Sequence, residues 1–117
     1  MKVNQRDIVE IAFFTGIRPE PHPAIIVSSN AIFEAEGFFY AVLLSTKNHF
    51  PDFTIEIDPQ MVNNARNLRS GFAVCHMLQI YTPDQIISRT GSTLKKPAFQ
   101  DVISKITEVI FQETDER

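Results

Sequence analysis

The sequence predicts a mainly β domain closed by one C-terminal helix, a small, partly open barrel or curled sheet. Three observations predict it. The first two thirds of the chain hold short runs of apolar and β-branched residues punctuated by proline, glycine and serine, as successive strands do. After Pro97 the apolar residues fall at Phe99, Val102, Ile103, Ile106, Val109 and Ile110, one face of a helix at i, i+3, i+4, i+7 spacing. The chain of 117 residues shows no internal repeat, low-complexity tract or linker, so one domain over 1–117 is expected, burying roughly two thirds of its unfolded surface.

Each element has a local reason. Asp7–Phe14 (DIVEIAFF) alternates and then turns apolar, like a strand entering a core. Thr15–Pro23 holds Pro19, Pro21 and Pro23; fixed φ angles and missing N–H groups predict a stiff loop. Ala24–Ser28 reads as a second strand, and Asn30–Gly37 as a connection able to hold a helical turn. Phe38–Ser45 is apolar on both faces, which predicts a central strand. Phe53–Ile57 alternates, with Phe53, Ile55 and Ile57 on one face. Asp58-Pro59 reads as an N-cap followed by proline in a first helical turn. Phe72–Tyr81 is expected to be one strand, Thr82-Pro83-Asp84 a turn and Ile86–Arg89 a short strand leading through Thr90-Gly91-Ser92 to the helix.

Composition bounds the function. Ten phenylalanines and no tryptophan predict a core filled by aromatics. The single Cys75 has no partner for an internal disulfide, and a reduced, cytoplasmic setting is the natural reading. No apolar run reaches the roughly 18 residues that span a bilayer, and no charged-then-apolar leader opens the chain. Three histidines and one cysteine lie far apart, so no metal is expected, and isolated glycines form no phosphate loop. A net charge of −3 argues against indiscriminate nucleic-acid binding but leaves room for a local site.

The order of landmarks resembles the MazF/PemK family of bacterial toxins. Asp7-Ile8-Val9 stands at that family's opening strand, with Arg6 in place of its usual glycine. Pro23-Ala24-Ile25-Ile26-Val27-Ser28 matches the second strand, and Val42-Leu43-Leu44-Ser45-Thr46 matches the third with its terminal Ser/Thr pair. Pro51 with Thr54-Ile55-Glu56-Ile57, Gln79-Ile80-Tyr81-Thr82, Gly91 and the Phe99–Ile110 segment complete the series. The resemblance implies an SH3-like small barrel with a C-terminal helix (the MazF/PemK/CcdB-like toxin fold). It implies a homodimeric, metal-independent and cofactor-free endoribonuclease that cuts single-stranded RNA by 2′-hydroxyl attack, and a partner antitoxin that lays an acidic segment across the RNA groove.

The resemblance also places the site. Its first arginine falls on His22, its later arginine on His76 and its aspartate on Leu78, while Thr46 is retained beside Ser45. His22, Thr46 and His76 are therefore the candidate catalytic residues. One neutral and one protonated imidazole would share the base and acid roles. Arg18, Ser45, Lys47, His49, Gln79 and Tyr81 are the candidate RNA-binding residues, Tyr81 by stacking on an unpaired base. Two other readings stay open: a diverged, non-catalytic barrel that binds RNA or blocks a protein target, as gyrase-poisoning toxins of similar fold do, or a barrel used only for assembly.

Overall fold

A computed structural model describes residues 2–14, 19–65, 68 and 70–115. Its strands are β1 (Asp7–Phe14), β2 (Pro19–Ile26), β3 (Phe39–Ser45), β4 (Thr54–Ile57), β5 (Val62–Asn63), β6 (Gly71–Val74), β7 (Gln79–Tyr81) and β8 (Ile86–Leu94). Two α-helices, α1 (Asn30–Glu36) and α2 (Lys96–Phe111), and short 3₁₀ turns at Pro51–Phe53, Pro59–Met61 and Pro83–Gln85 complete it. The strands form an antiparallel half-barrel in the order β4-β6-β3-β2-β1-β8-β5, with β7 pairing the start of β3. Asp58 caps its turn as expected, accepting the Gln60 N–H at 2.8 Å.

The proline-rich loop is a strand. β2 starts at Pro19 and pairs with Ile8 to Phe14 of β1, with Glu10, Ala12 and Phe14 opposite Pro23, Pro21 and Pro19. The prolines occupy alternate positions, so their missing N–H groups all lie on one side of the strand. β1 supports this stretch from the other side, and β3 pairs only Ala24–Ile26. The prolines thus sit on an edge, the one place a strand tolerates them.

The segment read as one strand from Phe72 to Tyr81 is two. β6 pairs Leu44–Ser45 and β7 pairs Phe39–Ala41, and Cys75–Leu78 carries the chain between these ends of β3. The last strand is longer than expected. β8 runs through Gly91, whose φ of 75° suits glycine, and its register against β1 slips between Ile8 and Val9 and again between Glu10 and Ile11. Arg6 adopts φ 77°, which explains why the resembling family carries glycine there. Its guanidinium is held by the Leu94 carbonyl at 3.1 Å.

Side-chain alternation builds a core on each face of the sheet. One face sets Ile8, Ile25, Val42 and Leu94 against Ala98, Phe99, Val102 and Ile106 of α2. The other gathers Val9, Ile11, Ala24, Ile26, Phe39, Ala41 and Tyr81, with Phe33 of α1 against them. Both cores are mostly aliphatic. Of the described phenylalanines only Phe39 and Phe99 are buried, while Phe50, Phe53 and Phe111 are exposed. Aromatic count was a poor guide because many of these rings lie on short turns and a helix end, outside the two layers.

Cys75 lies in the α2-side core, and burial pushes its thiol from 9.0 up to about 11. The unfolded chain therefore loses this proton first. Stability from the protonated thiol is full below pH 9 and falls as pH rises toward 11. A Cys75→Ala variant is expected to show a flatter stability curve over that window, read by denaturant midpoints. Parallel curves for the two proteins would contradict it.

Candidate functional site

The register explains where a site can form. Ile8, Ile25 and Val42 make one rung across β1, β2 and β3, all buried under the α2 side. Glu10 and Pro23 form the next rung on the same face, and the register continued brings Leu44 beside Pro23. Here the face opens into a cleft of about 930 Å³. The strands contribute in spatial order: Ser88–Ser92 from β8, Glu10 from β1, Pro23 from β2, Leu44-Ser45-Thr46 from β3 and Gly71 from β6, with Asn64, Leu68 and Ser70 beside them.

The wall on the β8 side is tied down. Thr90 Oγ1 donates to the Ile8 carbonyl and accepts the Ser92 N–H at 3.0 Å. The buried Ser92 hydroxyl donates to the Asn64 carbonyl at 2.8 Å. On the far side, the Ser45 hydroxyl accepts the Lys47 N–H at 3.2 Å, which shapes the turn that presents Thr46. Thr46 itself is exposed, and its hydroxyl has no partner among the described residues. The lining is rich in hydroxyl groups and an amide, donors that suit phosphate and ribose oxygens.

The expected site residues divide. Ser45 and Thr46 line the cleft. The two histidines do not. His22 is half-buried opposite Ile11, and strand alternation turns its side chain to the face of Ala24 and Ile26, away from Pro23 and the cleft. His76 follows β6 in a turn, its ring 4.7 Å from both Phe50 and Phe53, with a buried Nδ1 that has no hydrogen-bond partner among the described residues. The two imidazoles therefore do not line this cleft together: parity sets His22 on the other face, and the break between β6 and β7 sets His76 beside Phe50 and Phe53.

Tyr81 is corrected as well. It is 5% exposed, tilted on Phe39 at 6.1 Å, and its hydroxyl, pushed up by burial, donates to Gln79 Oε1 at 2.9 Å. A ring packed this way has no face for a base, and Gln79 accepts the hydrogen bond from its hydroxyl through Oε1. Lys47 and His49 are exposed in the loop after Thr46, His49 with its ring 6.5 Å from Phe50. Arg18 lies outside the described residues.

Glu10 and Arg89 are the residues that the sequence reading missed. Glu10 was a polar position inside an alternating strand, and only the pairing with Pro23 and Ser88 shows that it opens onto the cleft. Arg89 lies on β8 between two register shifts, paired with Val9. Its charge also reaches Asp7, whose carboxyl is raised by burial and pulled back by the Asn4 backbone, Arg89, Thr93 and Arg6.

Solved structures share this half-barrel with a C-terminal helix. An endoribonuclease in complex with its cognate antitoxin from a mycobacterial species is similar at TM-score 0.71 and 14% identity, over 90% of this chain and 91% of that one. The MazE–MazF complex of Deinococcus radiodurans is similar at TM-score 0.75 and 11% identity, over 93% of this chain and 96% of that one. MazF alone from Deinococcus radiodurans gives TM-score 0.73 and 12% identity with the same coverage, 93% and 96%. Such identities speak for the fold. No functionally curated protein matches the sequence. Residues 4–110 match the family described as PemK-like, MazF-like toxin of type II toxin–antitoxin system, and the chain belongs to that family. Among the described residues no helix is long and apolar enough to cross a membrane.

Proposed function

We propose that this protein is the toxin of a type II toxin–antitoxin pair and a metal-independent endoribonuclease that cuts single-stranded RNA in the cleft between Glu10 and Thr46. The observation that carries this reading is the position of Ser45 and Thr46 on a hydroxyl-lined cleft in a chain of this family. The ribose 2′-hydroxyl attacks the adjacent phosphate, and hydroxyl and amide donors around the cleft hold the phosphate oxygens as charge moves onto them. The protein acts as a homodimer in the cytoplasm, and an antitoxin silences it by laying a flexible acidic segment over the same groove. The neighbouring structures, described as complexes with a cognate antitoxin or with MazE, support a partner of that kind.

The test is incubation of the purified protein with a long unstructured RNA in excess chelator between pH 6 and 8. Fragments with 5′-hydroxyl ends and 2′,3′-cyclic phosphates are expected. Intact RNA from demonstrably folded protein sinks the reading. If growth arrest on expression persists in that case, the non-catalytic binder takes its place.

A further inference from the structure

We propose that Glu10 is the general base for RNA cleavage in this cleft, a role that rests on the endoribonuclease reading above. The first argument is position. Two residues beyond buried Ile8, Glu10 shares its face but lies past the α2-side core. Its direct strand partners, Pro23 and Ser88, both line the cleft. Glu10 is half-buried, and its carboxylate has no hydrogen bond or ion pair among the described residues.

The second argument is chemical elimination. Among the described residues lining the cleft, Glu10 and Arg89 carry ionisable side chains, and Arg89 is paired with Val9, whose side chain belongs to the opposite core. A guanidinium stays protonated and accepts nothing, and serine, threonine and asparagine side chains are too weakly basic to take a proton at neutral pH. The carboxylate alone is fit to accept one. Among the described residues the cleft has one carboxylate, carried on β1.

The third argument is span. Glu10 and Leu44 are two strands apart, and Thr46 lies two residues further on, so the Glu10 and Thr46 Cα atoms are about 12 Å apart on sheet spacings. One ribose and its 3′-phosphate fit between them, with the phosphate at the Thr46 hydroxyl and the 2′-hydroxyl toward Glu10.

The step balances. The Glu10 carboxylate takes the 2′-hydroxyl proton as O2′ bonds to phosphorus. The bond from phosphorus to the 5′ oxygen breaks, and its electron pair leaves on that oxygen. A solvent water protonates the leaving oxygen, and the hydroxide so formed takes the proton back from Glu10. The products are a 2′,3′-cyclic phosphate and a 5′-hydroxyl, with the enzyme unchanged. Arg89 of β8 is paired with Val9, on the opposite face; facing this step among the described residues, β8 brings Ser88, Thr90 and Ser92, β2 and β3 bring Pro23, Ser45 and Thr46, and Asn64, Leu68 and Ser70 lie beside them.

Glu10→Gln keeps the shape and removes the base. Single-turnover cleavage is expected to fall about 10²–10⁴-fold, the usual contribution of a positioned base. The acid limb of the pH–rate profile is expected to disappear, while binding of 2′-O-methyl RNA, which is not cleavable, is retained. Glu10→Asp is expected to recover part of the rate with the limb restored. Wild-type rate and an unchanged profile in Glu10→Gln would overturn the assignment. So would loss of 2′-O-methyl RNA binding with the acid limb intact, the mark of a structural residue. A wild-type protein that leaves RNA whole is a separate result: it removes the endoribonuclease reading itself.

Discussion

Replacing Phe39 by alanine is expected to cost about 3–5 kcal/mol of folding stability, the range for emptying a large buried ring. Among the described residues Phe39 is the largest side chain with essentially no exposure, at 0%. It packs on Tyr81 within the core that contains Val9, Ile11, Ala24, Ile26 and Ala41. Those neighbours belong to β1, β2, β3 and β7, all fixed in register by backbone pairing, so the space has little freedom to collapse. A domain of ordinary stability holds about 5–15 kcal/mol in total, so the loss is a large part of it. Urea or guanidinium midpoints measure it. A smaller loss is expected for Phe39→Leu, which refills most of the volume. Phe39 lies at the opposite end of β3 from Thr46, so RNA cleavage per folded molecule is expected to stay near wild type at low temperature. A midpoint equal to wild type for Phe39→Ala would contradict the two-core description.

How much of this was legible in the sequence differs by element. The α2 periodicity holds through Phe99, Val102 and Ile106, which are buried, because a helix face depends on local spacing alone; at the end of the helix Ile110 is exposed. β1 and β3 also lie where alternation and apolarity place them. The errors all involve partners far along the chain. Three prolines signal a loop unless one knows that β1 pairs only the side where N–H groups remain. One run from Phe72 to Tyr81 is broken because β3 offers it two separated stretches to pair with. The candidate site follows the same rule. Ser45 and Thr46 were readable as the end of a strand, whereas Glu10 needed the strand order to become a cleft residue. His22 looked exposed to chemistry between two prolines, yet a one-residue difference in parity separates it from Pro23 and the cleft. Arg6 marks the reverse case: its φ of 77° shows a backbone demand that local sequence pattern alone had disguised as an ordinary charged residue.

Thr46→Val separates the cleft from every other place where RNA chemistry could be sought. Valine keeps the size and branching of threonine and removes the hydroxyl, so the change is almost purely one of hydrogen bonding. Thr46 is exposed and its hydroxyl bonds no described residue, so folding stability is expected to stay within about 0.5 kcal/mol of wild type. Cleavage is expected to fall about 10²–10³-fold, the cost of removing one preorganised donor from developing phosphate charge. The loss should sit in kcat more than in KM, because the bond strengthens as charge builds on the phosphate oxygens. Ser45→Ala makes the contrast. Its hydroxyl is already committed to the Lys47 N–H, so its removal loosens the turn that presents Thr46 and should lower the rate by less. A double variant with Glu10→Gln should lose less than the product of the two single losses if both groups act on one transition state. Full activity in Thr46→Val would move the reaction out of this cleft, and the Glu10 assignment would fall with it.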